Sequence, residues 1–312
     1  MHRLGFAVRV LGRPRLRAYD ARRPSSHPHL SLSLVYLRDI VAYLVERRIG
    51  FYRLPAAFAP MLSAHDAPEY QRQLVECEAQ LVQLGELIRQ HALRLSMHLD
   101  LHVALASSDR TARARAIAEI TAQAALLDGL GLGPEAVLVL HLVAPRDEPG
   151  ALDNFAQSYL QLPPEVRRRV VLEHDERAWS LASLLPLHQV CGVPLVFDYL
   201  HHMLNNPEGL APITALGLAL ATWPADVRPK IHFSSPRTEG HLGPQGSFSV
   251  LPPRPGQHAD FINPFEFAAL IGQTRALPDF DIMLEAKAGD LALLRLREDL
   301  AHYAPELGQQ LS

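Results

Sequence analysis

Eight short apolar runs with helix-period segments between them limit what this chain can fold into more than any other feature. They are LGFAV (4–8), GFYRL (50–54), LRLSM (93–97), AVLVL (136–140), RVVLE (169–173), PLVFD (194–198), PKIHF (229–233) and DIMLE (281–285). The stretches 36–48, 70–92 and 112–131 between them carry apolar residues at i, i+3 and i+4, the pattern of helices with one buried face. Parallel strands need crossovers, and crossovers are usually helices, so this alternation argues for a parallel sheet covered by helices. Eight units point to a closed α/β barrel, a single (β/α)8 TIM-type domain over residues 1–312. An open doubly wound sheet competes, but no GxGxxG follows a strand and no GxxxxGK(S/T) occurs.

Loop lengths give the barrel a direction. The long irregular pieces, 12–31 and 235–264, follow strands, whereas helix-to-strand steps such as 191–193 and 276–280 are short. In a barrel the loops after strands share the C-terminal face, where active sites sit. No internal repeat or linker divides the chain, and 312 residues with 48% hydrophobic content suffice for one large core.

Cys77 and Cys191 lie far apart without CxxC spacing, which speaks against a disulfide scaffold or a zinc ribbon and suits a reducing cytoplasm. Neither a signal-peptide core nor an apolar stretch of about 20 residues is found, so a cytoplasmic protein with no membrane partner is expected. A formal charge of −3 does not advertise nucleic acid, but its distribution is uneven. Residues 1–50 hold ten arginines against Asp20, Asp39 and Glu46, a local excess of +7 that suits an anionic partner on one side. Of 30 basic residues only Lys230 and Lys287 are lysine, each two residues from a candidate metal ligand. Lysine can lose its proton or react at nitrogen, which guanidinium cannot.

Six of the eight runs end in, or lead straight into, a metal-ligand residue type: His98, His141, Glu173, Asp198, His232 and Glu285. One such residue is most simply a hydrogen-bonded histidine or a solvated acid. Six in register at a barrel mouth would be costly to bury without a cation. His201 lies three residues beyond Asp198 in FDYLHH, with His202 as its competitor, while His258 and His65 follow the seventh and second strands. More than four candidates exceeds one tetrahedral site and implies two or three metals, the usual apparatus for cleaving a phosphodiester.

LGFAV, FYRLPAAFAPMLSAH, LRLSMHLD, VLVLHL, VVLEHDE, PLVFDYLHH, TWPADVRPKIHFSSP, QHADFI and IMLEAKAGD occur in an order that resembles the UV-damage endonucleases, which share a barrel architecture with endonuclease IV. The resemblance spans roughly residues 3 to 290 and is most specific in VFDxxHH, PKIHFSS and MLEAKA. It implies a metal-dependent repair endonuclease that incises duplex DNA immediately 5′ to UV photoproducts and other helix-distorting lesions. The ligands it implies are His65, His98, His141, Glu173, Asp198, His201, His232, His258 and Glu285, around a cluster of about three divalent ions, usually manganese, with zinc admissible. Lys230, Glu173 and His232 become the catalytic candidates, and Lys230 matches the family's lysine that can be carboxylated.

Departures from the family pattern fall on recognition rather than on metal binding. After His98 the family reads Pro, an acid, Gln and an aromatic, where this chain has Leu99, Asp100, Leu101 and His102. Phe6 stands for a tyrosine, His174 and Tyr199 for asparagines, and Leu142-Val143-Ala144 for paired glycines. Phe6, Leu101, His102 and Tyr199 are the expected contacts to the damaged duplex, with Leu101 able to wedge between bases. Arg15, Arg17, Arg22 and Arg23 are the expected phosphate contacts, and no obligatory protein partner is evident. Two alternatives keep the barrel: an endonuclease IV-like or sugar isomerase-like enzyme acting on another substrate, and a damage-binding homologue that does not cut.

Overall fold

A computed structural model describes residues 2–59, 67–242 and 250–311. Its central sheet has eight parallel strands: β1 (Leu4–Ala7), β2 (Phe51–Leu54), β3 (Arg94–His98), β4 (Leu138–His141), β5 (Val170–Glu173), β6 (Leu195–Val196), β7 (Lys230–Phe233) and β8 (Asp281–Leu284). Their spatial order is β6-β5-β4-β3-β2-β1-β8-β7. The remaining seam, between β7 and β6, is drawn together where the His232 amide donates to the Phe197 carbonyl at 2.8 Å and Asp198 bridges to His232. The result is a nearly closed TIM-type barrel with helices between its strands.

Side-chain alternation along each strand decides what the barrel contains. In VLVLH, Leu138 and Leu140 face the surrounding helices, while Val137, Val139 and His141 point inward. Residues opposite one another in the ladder share a face, so the pairing of His141 with Glu173 and of His98 with Val139 sends all three ionisable groups inside. On β7 the same parity turns Lys230 and His232 inward and Ile231 and Phe233 outward. Gly5 fills an inward position because a Cβ there would come within 2.8 Å of the Phe51 ring.

The strands fall where the apolar runs predict, with small shifts. Only Leu195–Val196 of 194–198 is ladder-paired, because the chain then bends to carry Asp198 into the mouth. The helix expected from residue 36 begins at Leu30, where the His29 side chain accepts from the Ser31 amide. The stretch 70–92 is two helices, Ala67–Glu76 and Glu78–Gln90, broken at buried Cys77. Gln73 of the first helix accepts from the Leu30 amide, tying it to the helix Leu30–Glu46. No helix among the described residues is long and apolar enough to cross a membrane.

Two carboxylates secure the Arg-rich loop after β1. Asp290 accepts from the amides of Leu11 (2.6 Å) and Gly12 (3.0 Å) and from the Tyr43 hydroxyl. Asp20 accepts from the His29 amide at 2.9 Å and from the Arg22 guanidinium at 2.9 and 2.7 Å.

Candidate metal centre

Glu173 is the hub of the barrel mouth. Its Oε2 lies 3.0 Å from His98 Nε2 and 3.6 Å from His141 Nε2, and its Oε1 lies 2.9 Å from His232 Nδ1 and 3.3 Å from His201 Nδ1. Two groups of ligand atoms, each drawn within 4.8 Å, meet at this residue: His98, His141 and Glu173; and Glu173, Asp198, His232 and Glu285. His258 stands at the edge, with Nε2 3.9 Å from Glu285 Oε2. Of the paired histidines, His201 is the one beside Glu173, whereas His202 turns its Nε2 to the Leu210 carbonyl at 3.0 Å. His65 lies outside the described residues.

The donor atoms are buried and under-used, as a cation site requires. Asp198 Oδ2, Glu173 Oε1, His141 Nδ1 and both ring nitrogens of His232 are enclosed without a hydrogen bond. The 2.9 Å approach of Glu173 to His232 is therefore close but misaligned, since each atom aims at the shared space between them. Three buried carboxylates, Glu173, Asp198 and Glu285, converge here, with Arg53 ion-paired to Glu285 and His201 beside Glu173 and Asp198. Such a convergence of enclosed carboxylate and imidazole donors fits divalent cations of the borderline-to-hard kind.

Electrostatics in the metal-free protein follow from that burial. Desolvation pushes Asp198 up to about 6 and His232 down to about 4. It pushes the carboxyl of Glu173 upward too, but the facing histidines outweigh it and hold the group well below its ordinary range. His201 is raised to about 11, because Asp198 and Glu173 overcome its own desolvation. Metal ligation needs these imidazoles deprotonated, so loading the site releases protons. Buried His174 accepts from the Asp198 amide at Nε2 (3.0 Å), which places its proton on Nδ1, and its carbonyl lies 3.0 Å from His201 Nδ1. The His174 side chain thus supports the backbone of one candidate ligand, and its main-chain carbonyl the ring of another.

Lys230 lies one interior layer below the ligands, fully buried. Its Nζ donates to Ser96 Oγ at 3.3 Å and sits 5.5 Å from the Phe51 ring centre. Burial first, then the charges of Arg53 and Arg94, press its amine well below the ordinary lysine range. Arg94 and Asp281 form an enclosed ion pair at 3.0 Å. The barrel interior beneath the site is therefore divided, with Lys230, Ser96, Arg94 and Asp281 on one side and the apolar cluster of Val137, Val139, Val171, Val196, Trp223 and Val227 on the other.

The expected recognition residues separate into three kinds. Leu101 is 64% exposed at a turn beyond β3, and exposed His102 is tethered to Glu119 at 2.8 Å. Tyr199 lies half-buried and flat on Phe233, ring centres 4.7 Å apart. Arg15, Arg17 and Arg23 are exposed, and Arg17 rests beside the Tyr36 ring. One expectation needs correction. Phe6 has no accessible surface, because strand parity turns it outward against Tyr52 and the helix-facing core, so it cannot touch DNA. Arg22 is exposed like the other three arginines, and its Nε and one terminal nitrogen donate to Asp20, so it also shapes the loop.

Sequence reasoning missed Arg53, Ser96 and Glu176. Arg53 and Ser96 could have been found from inward parity in FYRL and LRLSM. Glu176, three residues past Glu173, reaches to 3.9 Å from His201 Nε2 because Asp175 accepts from the amides of Arg177, Ala178 and Trp179 and so tightens the turn.

Comparison with known proteins is consistent over most of the chain. The family model described as UV-endonuclease UvdE matches residues 30–307. A protein named UV DNA damage endonuclease from Bacillus cereus (strain G9842) is 30% identical over 266 residues, covering 84% of this chain and 78% of the relative. Its namesake from Bacillus pumilus (strain SAFR-032) is 30% identical over 272 residues, covering 86% and 80%. A crystal structure of SacUVDE superposes with a TM-score of 0.81 at 25% identity, covering 97% of this chain and 99% of that one. The D-psicose 3-epimerase of Clostridium cellulolyticum H10 shares the fold, with a TM-score of 0.56 at 11% identity, covering 92% and 85%.

Proposed function

The chain belongs to the UV-endonuclease UvdE family, and on that premise we propose that it is a metal-dependent endonuclease that incises damaged double-stranded DNA immediately 5′ to UV photoproducts. The observation that carries this reading is the convergence of two ligand groups on Glu173, with enclosed donor atoms that no hydrogen bond occupies. Glu173, Asp198, His232 and Glu285 would hold one ion and His98, His141 and Glu173 another, with His201, His258 and His65 completing a cluster of two or three, manganese by family resemblance. Bound there, divalent ions supply Lewis acidity and charge neutralisation for attack on a phosphodiester.

The chain's own residues do the rest. His232, kept neutral by burial, has one ring nitrogen whose lone pair is available to an ion. Arg53 fixes the Glu285 carboxylate and offsets part of the charge crowding the mouth. Lys230, desolvated and held by Ser96, presents an amine whose nitrogen is free to lose its proton or react. Exposed Arg15, Arg17 and Arg23 suit phosphate contacts that position the duplex without reading its sequence.

Incubation of Mn2+-loaded protein with end-labelled duplexes carrying a cyclobutane dimer, a 6-4 photoproduct or an abasic site tests this directly. The expected product is a nick on the 5′ side of a photoproduct, leaving a 3′-hydroxyl. Cleavage of the abasic duplex alone would favour an endonuclease IV-like specificity, and binding without incision would overturn the enzymatic reading.

A further inference from the structure

Three backbone segments meet beside Glu285: residues 235–237 leaving β7, residues 257–260, and residues 286–288 leaving β8. The Ala259 amide donates to the Ser235 carbonyl at 2.9 Å and the Arg237 amide to the Gln257 carbonyl at 2.8 Å, with Pro236 and His258 bridged between them. On the other edge the amides of Lys287 and Ala288 donate to the carbonyls of Ala259 (3.1 Å) and Asp260 (3.0 Å). Main-chain bonds thus fix both edges of a shelf from which His258 turns toward Glu285.

Phe261 follows this shelf directly and is 49% exposed, although Ile262 after it is buried. The backbone is pinned on both sides of an aromatic ring that folding leaves in water. Lys287 is exposed and Arg237 half-buried, and among the described residues neither has a carboxylate within ion-pair distance. In the loop after β1, Arg13 and Arg22 are held by Glu46 and Asp20, whereas Arg15, Arg17 and Arg23 are exposed like Lys287 but lie on a loop with no exposed aromatic ring pinned beside them in this way. Lys287 is also one of only two lysines in the chain, and nothing in the metal centre uses it.

We propose that Phe261, Lys287 and Arg237 form a nucleotide subsite on the rim of the metal centre, in which the two cations take DNA phosphates and Phe261 stacks on a base loosened by the lesion. This rests on the endonuclease reading above. Stacking on an aromatic ring suits any base, because every base has a π-face. Contacts from a compact ammonium and a guanidinium to phosphate position the backbone without selecting sequence. A rigid shelf keeps the ordering cost of both contacts low.

The test uses Mn2+-loaded protein and a duplex carrying a 6-4 photoproduct, with 2-aminopurine beside it and a non-hydrolysable methylenephosphonate linkage on its 5′ side. Binding of the wild type is expected to quench 2-aminopurine emission. Phe261→Ala should lose that quench and weaken binding by roughly 10-fold, while Phe261→Trp keeps both. Lys287→Ala and Arg237→Ala should weaken binding to lesion and intact duplexes alike, each lowering the slope of log K against log salt by about 1. Lys287→Arg should preserve the slope. Circular dichroism melts establish that each variant is folded. A folded Phe261→Ala with wild-type quench and affinity, or an unchanged salt slope in Lys287→Ala, would overturn the subsite while wild-type incision of a cleavable duplex still stood. Wild-type protein that neither incises nor prefers the damaged duplex would overturn the endonuclease reading, and the subsite with it.

Discussion

Oε1 of Glu173, closing β5, lies 2.9 Å from Nδ1 of His232 on β7, across the one strand that separates them, and neither atom forms a hydrogen bond. Two polar atoms enclosed at that distance without a bond are costly unless something else occupies their lone pairs. Glu173→Gln keeps the shape but removes the charge shared by both ligand groups. Incision should fall by more than about 100-fold, beyond the loss typical of a ligand's supporting partners, with circular dichroism unchanged. Elemental analysis of metal-replete wild-type protein that finds no transition metal would sink the cluster itself.

Lys230→Arg retains a cation but not an amine. The position is fully enclosed between Ser96 and Phe51, so the larger guanidinium should cost about 1–3 kcal/mol by overpacking. Activity should fall further than stability does. Unchanged cleavage between pH about 6 and 9, the range around ordinary side-chain titrations, would show that a positive charge is all the position requires.

Arg53→Met leaves the carboxylate of Glu285 enclosed without its ion-pair partner. Losing one member of a buried pair costs about 3–5 kcal/mol. Melting of the metal-free variant should drop accordingly, and added Mn2+ should raise its Tm more than it raises that of the wild type. Equal shifts in both proteins would mean that Arg53 and the metals do not share Glu285.

Asp20 ties the Arg-rich loop to the helix Leu30–Glu46. The Arg22 guanidinium lowers its carboxyl from 3.8 to about 2, helped by the His29 amide and opposed by burial. A depressed folded pKa means that the carboxylate's contribution is fully present above about 3.8 and is lost as pH falls toward 2. Hydrogen exchange at the amides of Arg22 and His29 should accelerate over that window in the wild type and be fast at neutral pH in Asp20→Asn. Protection that ignores pH between 4 and 2 in the wild type would exclude this anchor.

Leu101 and His102 occupy the turn beyond β3 where the family carries its glutamine and aromatic. Replacing both with alanine should reduce discrimination between damaged and intact duplexes in a competition assay, with metal content intact. Because His102 is tethered to Glu119, Glu119→Ala should reproduce part of the loss. Full preference for damaged DNA in the double variant would move the probe elsewhere on the rim.

Much of this protein was legible from sequence alone. Strand periodicity and the alternation with helical segments gave the barrel, because burial of apolar side chains is a local pattern written residue by residue. Ligand types at strand ends gave the site's chemistry, since a barrel delivers strand ends to one face whatever lies between them. Strand parity was available too, and applied to β1 it would have removed Phe6 from the duplex and applied to β2 it would have found Arg53.

Tertiary structure decided what depends on which strands become neighbours and on how loops are tied. The choice of His201 over His202 turns on a helix that directs one ring to Glu173 and the other to the Leu210 carbonyl. The pairing of Arg22 with Asp20, and the lack of such a partner for Lys287 among the described residues, concern charges that composition counts identically. The hub role of Glu173 required β5 to lie beside β4 and within reach of β3 and β7 at once, bringing together groups that the chain keeps 75 residues apart in the case of His98 and Glu173. Distances of that kind are set by closure of the sheet, a property of the whole ring of strands and of no single segment.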